Sequence, residues 1–413
     1  MRLGVLTTSF PRSPGDPAGS FVLRTAEILA GRGHRVEVLA PEPAGPAVPG
    51  TEALGPRLLV RRLPYLRPRR LERAFYGAGA PDNLRREPLV AGVGAAAFTA
   101  SLAAGAARSV ALGRWDRVVA HWLVPAGLVA ARLPVPTVVV AHSSDVALLE
   151  RMPGGGRVAD AIAGGSERLG FTHPDLARRF LALLGGGRRT ARAAGKSRVV
   201  PMPHGVARPP GAGDRSAARA ALGVGDEAFV ALSVARLVPV KGVDVVIDAL
   251  AQLGEIDAVL LVAGDGPERP GLERRARARE LGGRVRWLGQ LGQKALEQAR
   301  AAADVAVAPS RPLPDGRDEG APVAVGEALA AGLPILASRT GGLPSLVQDG
   351  DNGWLVPPGD AGALAEALRD ACHRPDERAR RAARALETGH ALSEAVAGAA
   401  FADWVTEGPA VSD

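Results

Sequence analysis

Cysteine is nearly missing from this sequence, as are several motifs that mark common enzyme classes. One cysteine, Cys372, occurs in 413 residues, which excludes an internal disulfide and a cysteine metal cluster. A buried structural thiol is the simplest interpretation of it. Neither a Gly-x-Ser-x-Gly motif nor a P-loop occurs, which disfavours a serine hydrolase and an NTPase.

Positive charge is concentrated in the first half of the chain. Residues 1–200 carry 28 Lys and Arg against 14 Asp and Glu, whereas residues 201–413 carry 23 against 29. In the densest part, 57–86, nine arginines are mixed with aromatic residues. Such a segment can hold a peripheral protein at an anionic membrane surface, and a solvated loop is the alternative. Nucleic acid is not expected as a partner, because 57–86 matches no recognised module and the second half is acidic.

An uncharged run over residues 89–107 has to be weighed as a membrane span. It consists mainly of Ala and Gly with some Ser and Thr, whereas a spanning helix needs about 20 strongly apolar residues. We therefore expect a packed helix. The apolar segment at the first strand is interrupted early, from Pro11 onward, whereas a signal peptide needs a longer apolar run. These features predict a cytoplasmic protein, with 57–86 as a peripheral contact to the inner face of the membrane.

Apolar strands alternate with helical stretches along the whole chain, which predicts an α/β fold with parallel sheets in two domains. The Pro- and Gly-rich stretch 201–213 suits a linker. We therefore expect an N-terminal domain over 1–205 and a C-terminal domain over 206–389. Residues 390–413 are expected to hold a helix, at about 390–407, that packs back on the N-terminal domain. The expected strands are 2–8, 34–40, 117–120, 136–141, 198–201, 229–234, 258–263, 284–288, 304–308 and 334–337.

Two carboxylates flank a predicted helix start in Glu319-Gly-Ala-Pro-Val-Ala-Val-Gly-Glu327. Pro322 suits the first helical position, where its missing N–H costs nothing. The free N–H groups of the first turn, together with the helix dipole, form an anion site. Glu327 lies about a turn and a half further along the helix. A phosphate site flanked by carboxylates that can bind hydroxyl groups predicts a sugar nucleotide as the ligand.

Two cations, Arg236 and Lys241, follow the predicted strand 229–234. Ligands of α/β folds bind at the carboxyl ends of parallel strands, where an Arg fork and a Lys point charge can neutralise a diphosphate. Solvated surface charges are the alternative. Gly264 follows the next strand, in a turn that is either a plain tight turn or a close approach of backbone to ligand. As a group, these residues favour one ligand-binding cleft.

In the first half, His121 and His142 end two successive predicted strands. Such a pair favours contact with a polar substrate over two structural histidines. Neither has a partner at metal-ligand spacing, so we predict no protein-bound metal. Before them, loop 9–20 leads into a helix expected over 20–31, a common way to bring backbone close to a ligand. The loop lacks Gly-x-Gly-x-x-Gly, which weakens a dinucleotide-binding interpretation.

With these residues in place, the chain resembles the retaining glycosyltransferases of the GT-B fold, specifically glycosyltransferase family 4. The likeness covers nearly the whole chain and is strongest over 229–360. That stretch contains, in family order, Ala-Arg236-Leu-Val-Pro-Val-Lys241-Gly, Ala-Gly264-Asp-Gly-Pro, Glu319 to Glu327, Gly341-Gly342-Leu-Pro and Asp349-Gly-Asp-Asn-Gly-Trp. The resemblance implies two Rossmann-like domains that face each other across a cleft, with the donor on the C-terminal domain.

The resemblance also implies a role for each residue of the donor site. Arg236 and Lys241 would hold the donor diphosphate, Glu319 would bind hydroxyl groups of the donor sugar, and Glu327 would hold the ribose. Further donor-binding positions would be Gly19, Gly264, Gly320, Ala321, Pro322 and Val323.

In the same way, His142 would lie near the transferred sugar and His121 on the acceptor side, with His142, Glu319, Arg236 and Lys241 as the catalytic group. Enzymes of this family retain the anomeric configuration by front-face attack through an oxocarbenium-like state, without the carboxylate nucleophile of retaining hydrolases. The cations and a helix N-terminus would stabilise the leaving diphosphate, so no divalent metal is needed. No cofactor is expected beyond a UDP-, GDP- or ADP-sugar as co-substrate.

The leading hypothesis is therefore a retaining, metal-independent hexosyltransferase that acts on a glycan, lipid-linked or small-molecule acceptor in polysaccharide or glycolipid biosynthesis. One alternative is a sugar-nucleotide epimerase of the same fold class, which would convert the donor without an acceptor. The other is a non-catalytic nucleotide-sugar binder, against which the presence of both cations and both carboxylates argues.

Overall fold

A computed structural model describes residues 1–408 apart from 14, 17, 45–49, 77–79, 206–208 and 210–211. Parts of the predicted loop 9–20 and of the predicted linker 201–213 therefore lie outside the described residues. Contacts divide the chain into two compact units. Unit 1 comprises Met1–Pro203 and Ala397–Asp413, and unit 2 comprises His204–Val396.

Unit 1 is built on an eight-stranded sheet, in the order β3-β4-β2-β1-β5-β6-β7-β8. All strand pairs are parallel except β3 with β4. The central strands are nearly continuous runs of buried Val, Leu and Ala, as expected for parallel strands covered on both faces. The strands are β1 Arg2–Leu6, β2 Arg35–Pro41, β3 Thr51–Gly55, β4 Leu58–Leu63, β5 Arg117–His121, β6 Thr137–Ala141, β7 Arg168–Phe171 and β8 Ser197–Val199.

Helices pack on this sheet through two hydrophobic clusters. Strand residues alternate between the clusters, because successive side chains of a strand point to opposite faces. The helices are α1 Ser20–Gly31, α2 Ala80–Arg86, α3 Pro88–Ala111, α4 Leu128–Ala130, α5 Ser144–Arg151, α6 Gly155–Gly165, α7 Pro174–Ala182 and α8 Gly187–Ala194.

Helix α3 contains the uncharged run 89–107. Within the described residues it is the one helix that is long and apolar enough to cross a membrane by length and composition. Phe98, Leu102 and Ala106 follow at intervals of four residues and are fully buried in the core of unit 1. One face of α3 is therefore a packed core face, as the sequence predicted.

Unit 2 has a six-stranded parallel sheet in the order β11-β10-β9-β12-β13-β14. The strands are β9 Phe229–Val234, β10 Ala258–Ala263, β11 Val285–Gly289, β12 Val305–Ala308, β13 Ile335–Ser338 and β14 Gly353–Val356. The helices are α9 Ala212–Ala221, α10 Val243–Ala251, α11 Arg269–Ala278, α12 Gln293–Ala302, α13 Val323–Ala330, α14 Ala361–His373 and α15 Pro375–Ala391. Short 3-10 turns occupy Arg69–Leu71 in unit 1 and Pro239–Lys241, Gly282–Arg284 and Leu343–Ser345 in unit 2.

The end of the chain differs from the single helix expected over 390–407. Helix α15 continues to Ala391, a π-type turn follows at Glu394–Gly398, and α16 then runs over Ala399–Thr406. Helix α16 lies in unit 1, where Phe401 and Trp404 join the same cluster as α1.

The Arg-rich segment 57–86 also differs from expectation, because much of it is structural. Strand β4 lies within it and pairs with β2. Arg62 is buried and donates hydrogen bonds to the carbonyl oxygen of Pro11 and to the hydroxyl of Tyr76. Tyr65 and Phe75 are buried in the core. The aromatic residues of this segment are therefore buried.

Candidate functional site

The candidate donor site of unit 2 lies where the strand order reverses. Strands β9 and β12 are neighbours, and the sheet continues to β10 on one side and to β13 on the other. In open α/β sheets, ligands bind at such a switch point, outside the carboxyl ends of the strands. Lys241 ends the 3-10 turn after β9, and Glu319 lies in the loop after β12.

Lys241 and Ser310 hold the same oxygen of Glu319. Nζ of Lys241 is 2.6 Å from Oε2 of Glu319, and Oγ of Ser310 donates to Oε2 at 2.8 Å. Glu319 is 7% exposed and Ser310 is 1% exposed, so both are buried, whereas the Lys241 side chain is partly exposed. Oε1 of Glu319 makes no hydrogen bond within the described residues and can accept from a ligand hydroxyl, and the ammonium has further N–H donors for an anionic oxygen. Lys241, Glu319 and Pro322 also line one cavity of about 30 Å³.

The anion site predicted at the start of α13 is shifted by one residue. Pro322 is the N-cap, with φ −70° and ψ 119°, and the helix begins at Val323. The expectation that Pro322 is the first helical residue is therefore wrong, because its ψ is extended. The N–H groups of Val325 and Gly326 bond to the carbonyl of Pro322. The N–H groups of Val323 and Ala324 have no acceptor within the helix, so they can face an anion.

Glu327 lies on α13 and pairs with Arg300 of α12. Nη1 of Arg300 is 2.9 Å from Oε2 of Glu327, and the Arg300 side chain is 2% exposed. Nothing in the local sequence around Arg300 marks this contact, since the two residues are on different helices. Ser310 carried a local signal, because it is a polar residue directly after an apolar strand.

Gly264 is required by a close approach between two loops of this site. Its φ is +138°, and a Cβ added there would lie 1.9 Å from the carbonyl oxygen of Ala235. The loop after β10 is thereby packed against the loop after β9, which carries the exposed Arg236. Gly264 thus shapes the loop that presents Arg236. The close approach at Gly264 is to the backbone of Ala235.

In unit 1, the two predicted histidines are in direct contact. Nδ1 of His121 is 3.0 Å from Nε2 of His142, and the rings stack with centroids 5.2 Å apart. His121 is 1% exposed, and its Nε2 is 3.3 Å from Oγ1 of Thr25. Both ring nitrogens of His121 are therefore engaged inside the protein. The expectation that His121 contacts the acceptor is corrected accordingly, because its position makes it a support for His142.

Burial keeps both imidazoles neutral. It lowers the pKa of His121 from 6.5 to about 3. Burial, with a smaller contribution from His121, lowers the pKa of His142 well below 6.5. His142 is half-buried and packs against the rings of Phe21 and Trp122, at centroid distances of 4.7 and 5.0 Å. A neutral, oriented imidazole can donate or accept one hydrogen bond with a polar substrate.

Asp145 organises the loop that carries His142, a role that sequence reasoning missed. Its carboxylate accepts from the backbone N–H of His142 and Ser143, and from that of Leu123 in the loop after β5. Burial raises the pKa of Asp145, and these backbone donors oppose that shift. Trp122 and Ser143 have positive φ values of 71° and 116°. Asp145 thus ties together two strand-end loops with unfavourable backbone conformations.

Gly19 lies at the start of α1 in unit 1. It is the N-cap with φ +67°, and a Cβ there would lie 2.2 Å from the carbonyl oxygen of Ser9. The backbone at Gly19 therefore lies directly against that of Ser9 where the helix begins. Across the described part of both units, no group of three or more His, Cys, Asp or Glu residues is placed to hold a metal ion.

Comparison with known proteins gives the same fold and a family. The family model described as glycosyl transferases group 1 matches residues 214–388. A D-inositol 3-phosphate glycosyltransferase from Streptomyces scabiei is 30% identical over 428 residues, covering 95% of this chain and 87% of the relative. Its namesake from Saccharomonospora viridis is 38% identical over 179 residues, a match that spans only 40% of either chain.

A solved structure, Anabaena Alr3699/HepE in complex with UDP, has a TM-score of 0.71 and 22% identity, covering 98% of this chain and 99% of that chain. Its likeness extends over both α/β units. With two such units and a relative matched over 95% of this chain and 87% of its own length, this chain belongs to the group 1 glycosyl transferases and has the GT-B fold.

Proposed function

We propose that this protein is a retaining glycosyltransferase that moves a sugar from a nucleotide-sugar donor to a glycan, lipid-linked or small-molecule acceptor. The observation that carries the proposal is the contact of Lys241 and Ser310 with Glu319 at the switch point of unit 2. It combines an ammonium, a fixed carboxylate and the N-terminus of α13. These are the groups that a diphosphate joined to a sugar requires.

In the proposed reaction, the bond between the sugar C1 and the diphosphate oxygen breaks while the acceptor hydroxyl oxygen bonds to C1 on the same face, and the hydroxyl proton passes to the leaving diphosphate oxygen. Lys241, Arg236 and the free N–H groups of α13 stabilise the charge on the leaving diphosphate. Glu319 orients the sugar through its hydroxyls, and Glu327 holds the ribose. Because protein cations carry this charge, we propose that no divalent metal is needed.

Unit 1 is proposed to bind the acceptor and to contribute His142 near the transferred sugar. Its imidazole is the half-buried end of the His121–His142 pair, whereas His121 is closed off from ligands. The nucleotide is proposed to be UDP, GDP or ADP, and UDP is the first to test because the similar Anabaena structure contains it. The relatives' names make D-inositol 3-phosphate a first small-molecule acceptor to test.

The test is product analysis with a panel of UDP-, GDP- and ADP-sugars. We expect one of the nucleotides to bind in calorimetric titration. The sugar that it carries is expected to be transferred with retained anomeric configuration, as measured by NMR. Transfer is expected to continue in the presence of EDTA. Conversion of the donor without an acceptor would identify an epimerase instead. Binding with no turnover on any acceptor would favour a non-catalytic binder.

We also propose that the protein is cytoplasmic and that an anionic membrane surface is one of its partners. In this proposal the start of α3 contacts the membrane, and the aromatic residues of 57–86 do not. Leu89 and Val93 lie one turn apart on α3 and are 82% and 60% exposed. Arg85 and Arg86 are exposed at the preceding helix end. Apolar side chains beside arginines suit a surface of anionic lipid.

Flotation with phosphatidylcholine vesicles, with and without phosphatidylglycerol, tests this surface. We expect binding only to the anionic vesicles, and its loss in Leu89→Ser/Val93→Ser. Leu112→Ser is the matched control, since Leu112 is 54% exposed just after the other end of α3. Equal binding to both vesicle types, or unchanged binding of the double variant, would count against this partner.

A further inference from the structure

Arg300 is a buried arginine that the functions described so far do not use. It lies in the last turn of α12 and its side chain is 2% exposed. Its neighbours Ala299, Ala301 and Ala302 belong to a hydrophobic cluster that also contains Leu329 of α13. Moving a guanidinium from water into such surroundings is costly unless it is paired.

The pairing of Arg300 is sparse. Nη1 donates to Oε2 of Glu327 at 2.9 Å. Nε and Nη2 are buried and have no hydrogen-bond partner within the described residues. A guanidinium has five N–H donors, so most of its bonding capacity is unmet. Buried ion pairs can often be replaced by apolar residues with no loss of stability. Stability alone therefore does not explain a buried arginine with so few hydrogen bonds.

The contact instead fixes one oxygen of Glu327 and leaves the other to bind a ligand. Oε2 is held by Arg300, and Oε1 makes no hydrogen bond within the described part of the chain. Glu327 is also more exposed than Arg300, at 14% of its side chain. A carboxylate with one oxygen anchored presents the other in a fixed direction, which suits the vicinal hydroxyls of a ribose.

We propose that Arg300 is a positioning residue of the nucleotide site, which acts through Glu327 to select for the ribose hydroxyls of the donor. This inference rests on the proposed function, in which Glu327 holds the ribose. Arg300 itself touches no substrate. It holds the Glu327 carboxylate in one orientation, so that binding does not have to order that side chain.

The test compares a nucleoside diphosphate with the same molecule lacking its ribose hydroxyls. Calorimetric titration first identifies which of UDP, GDP and ADP the wild type binds most tightly. That nucleotide and its 2′,3′-dideoxy form are then titrated into wild type, Arg300→Met, Arg300→Lys and Glu327→Gln. We expect Arg300→Met to weaken binding of the parent nucleotide about tenfold, the size of one charge-assisted hydrogen bond, and to change binding of the dideoxy form less than about twofold.

Two further results follow from the same mechanism. Glu327→Gln is expected to lose the same selectivity, and adding Arg300→Met to it is expected to have no further effect on selectivity, because both act through one contact. Arg300→Lys is expected to recover part of the selectivity, and it carries the test if Arg300→Met does not fold.

Arg219→Met is the matched control. Arg219 is also a buried arginine of unit 2, 1% exposed, and its Nη2 is 2.8 Å from Oδ2 of Asp304. This variant is expected to lose thermal stability without a change in ribose selectivity.

An equal loss of affinity for both nucleotide forms in the Arg300 variants, or no loss, would overturn the role of Arg300 and leave the proposed function standing. Failure of the wild type to bind any of the three nucleotides would overturn the proposed function itself.

Discussion

Nζ of Lys241 lies 2.6 Å from Oε2 of Glu319, although 78 residues separate them in the sequence. The two residues follow neighbouring strands, β9 and β12, so the topology of unit 2 brings them together. The family resemblance implies that the lysine holds the diphosphate and the glutamate binds the sugar. Their contact means that each sets the position of the other, and this coupling can be measured.

Replacement of Lys241 tests its share of the leaving-group charge. Lys241→Ala is expected to lower the rate of sugar transfer about 100-fold or more, a typical loss when one preorganised charge partner is removed. Combining Lys241→Ala with Glu319→Gln is expected to lower the rate by less than the sum of the two separate free-energy effects, because the two side chains share a contact. Steady-state kinetics measures both effects. Lys294→Ala is the control, since Lys294 is an exposed lysine of the same unit, and a similar loss there would contradict a specific role for Lys241.

Replacement of Asp145 tests its role as the organiser of two loops in unit 1. Asp145→Ala leaves several buried backbone N–H groups without an acceptor, so the free energy of unfolding should fall by about 1–3 kcal/mol. Transfer should fall while calorimetric binding of the nucleotide to unit 2 is largely kept. Asp160→Ala is the control, because Asp160 makes a surface pair with Arg189. If nucleotide binding were lost together with transfer, the role of Asp145 would not be local.

The buried histidine pair predicts a specific response to acid. The pKa of His121 is about 3 in the folded protein, whereas its ordinary value is 6.5. Below pH 6.5 the unfolded chain takes up a proton that the folded protein refuses, so stability is lost as the pH falls from 6.5 towards 3. This histidine costs about 1.4 kcal/mol for each pH unit in that window.

Denaturant unfolding of wild type and His121→Asn at a series of pH values measures this response. His121→Asn should be less stable at neutral pH, and the difference should shrink as the pH falls. The exposed His373→Asn provides the reference for an ordinary substitution. A pH-independent difference between wild type and His121→Asn would contradict the buried, neutral state of His121.

Two glycines of unit 2 should respond to alanine in opposite directions. Gly264→Ala forces a Cβ to within 1.9 Å of the Ala235 carbonyl and should both destabilise unit 2 and displace the loop that bears Arg236. Gly271 is exposed within α11 and its added Cβ would meet nothing closer than 3.9 Å. Gly271→Ala should therefore raise the free energy of unfolding, by up to about 1 kcal/mol. Thermal melts of both variants check this, and equal effects would argue against the loop contact.

Much of the fold could be predicted from the sequence because buried parallel strands are continuous apolar runs. Strands 229–234 and 258–263 and helix 20–31 are confirmed with their bounds. Strands β3, β4, β7 and β14 were missed. Strand β3 is exposed throughout, and β4 contains two arginines. Strands β7 and β14 each contain a glycine, a residue that is depleted in strands, whereas the equally short β12 and β13 contain none.

The site was less predictable, because its geometry depends on contacts between distant elements. Lys241 and Glu319 could be singled out from local patterns after their strands, and the structure brings them into contact. The partners Arg300 and Asp145 could not, since a buried polar residue has meaning only once its neighbour is known. For the same reason His121 was assigned to the acceptor, although burial makes it a support for His142.

The release of nucleoside diphosphate from a panel of nucleotide sugars, followed for wild type and Lys241→Ala side by side, tests the central claim most directly. We predict that wild type releases the diphosphate from one nucleotide sugar, and that release is faster with an acceptor present. For Lys241→Ala we predict a rate of release that is lower by about 100-fold or more. Release at equal rates by both proteins, or no release from any donor by wild type, would contradict the assignment of unit 2 as the donor site.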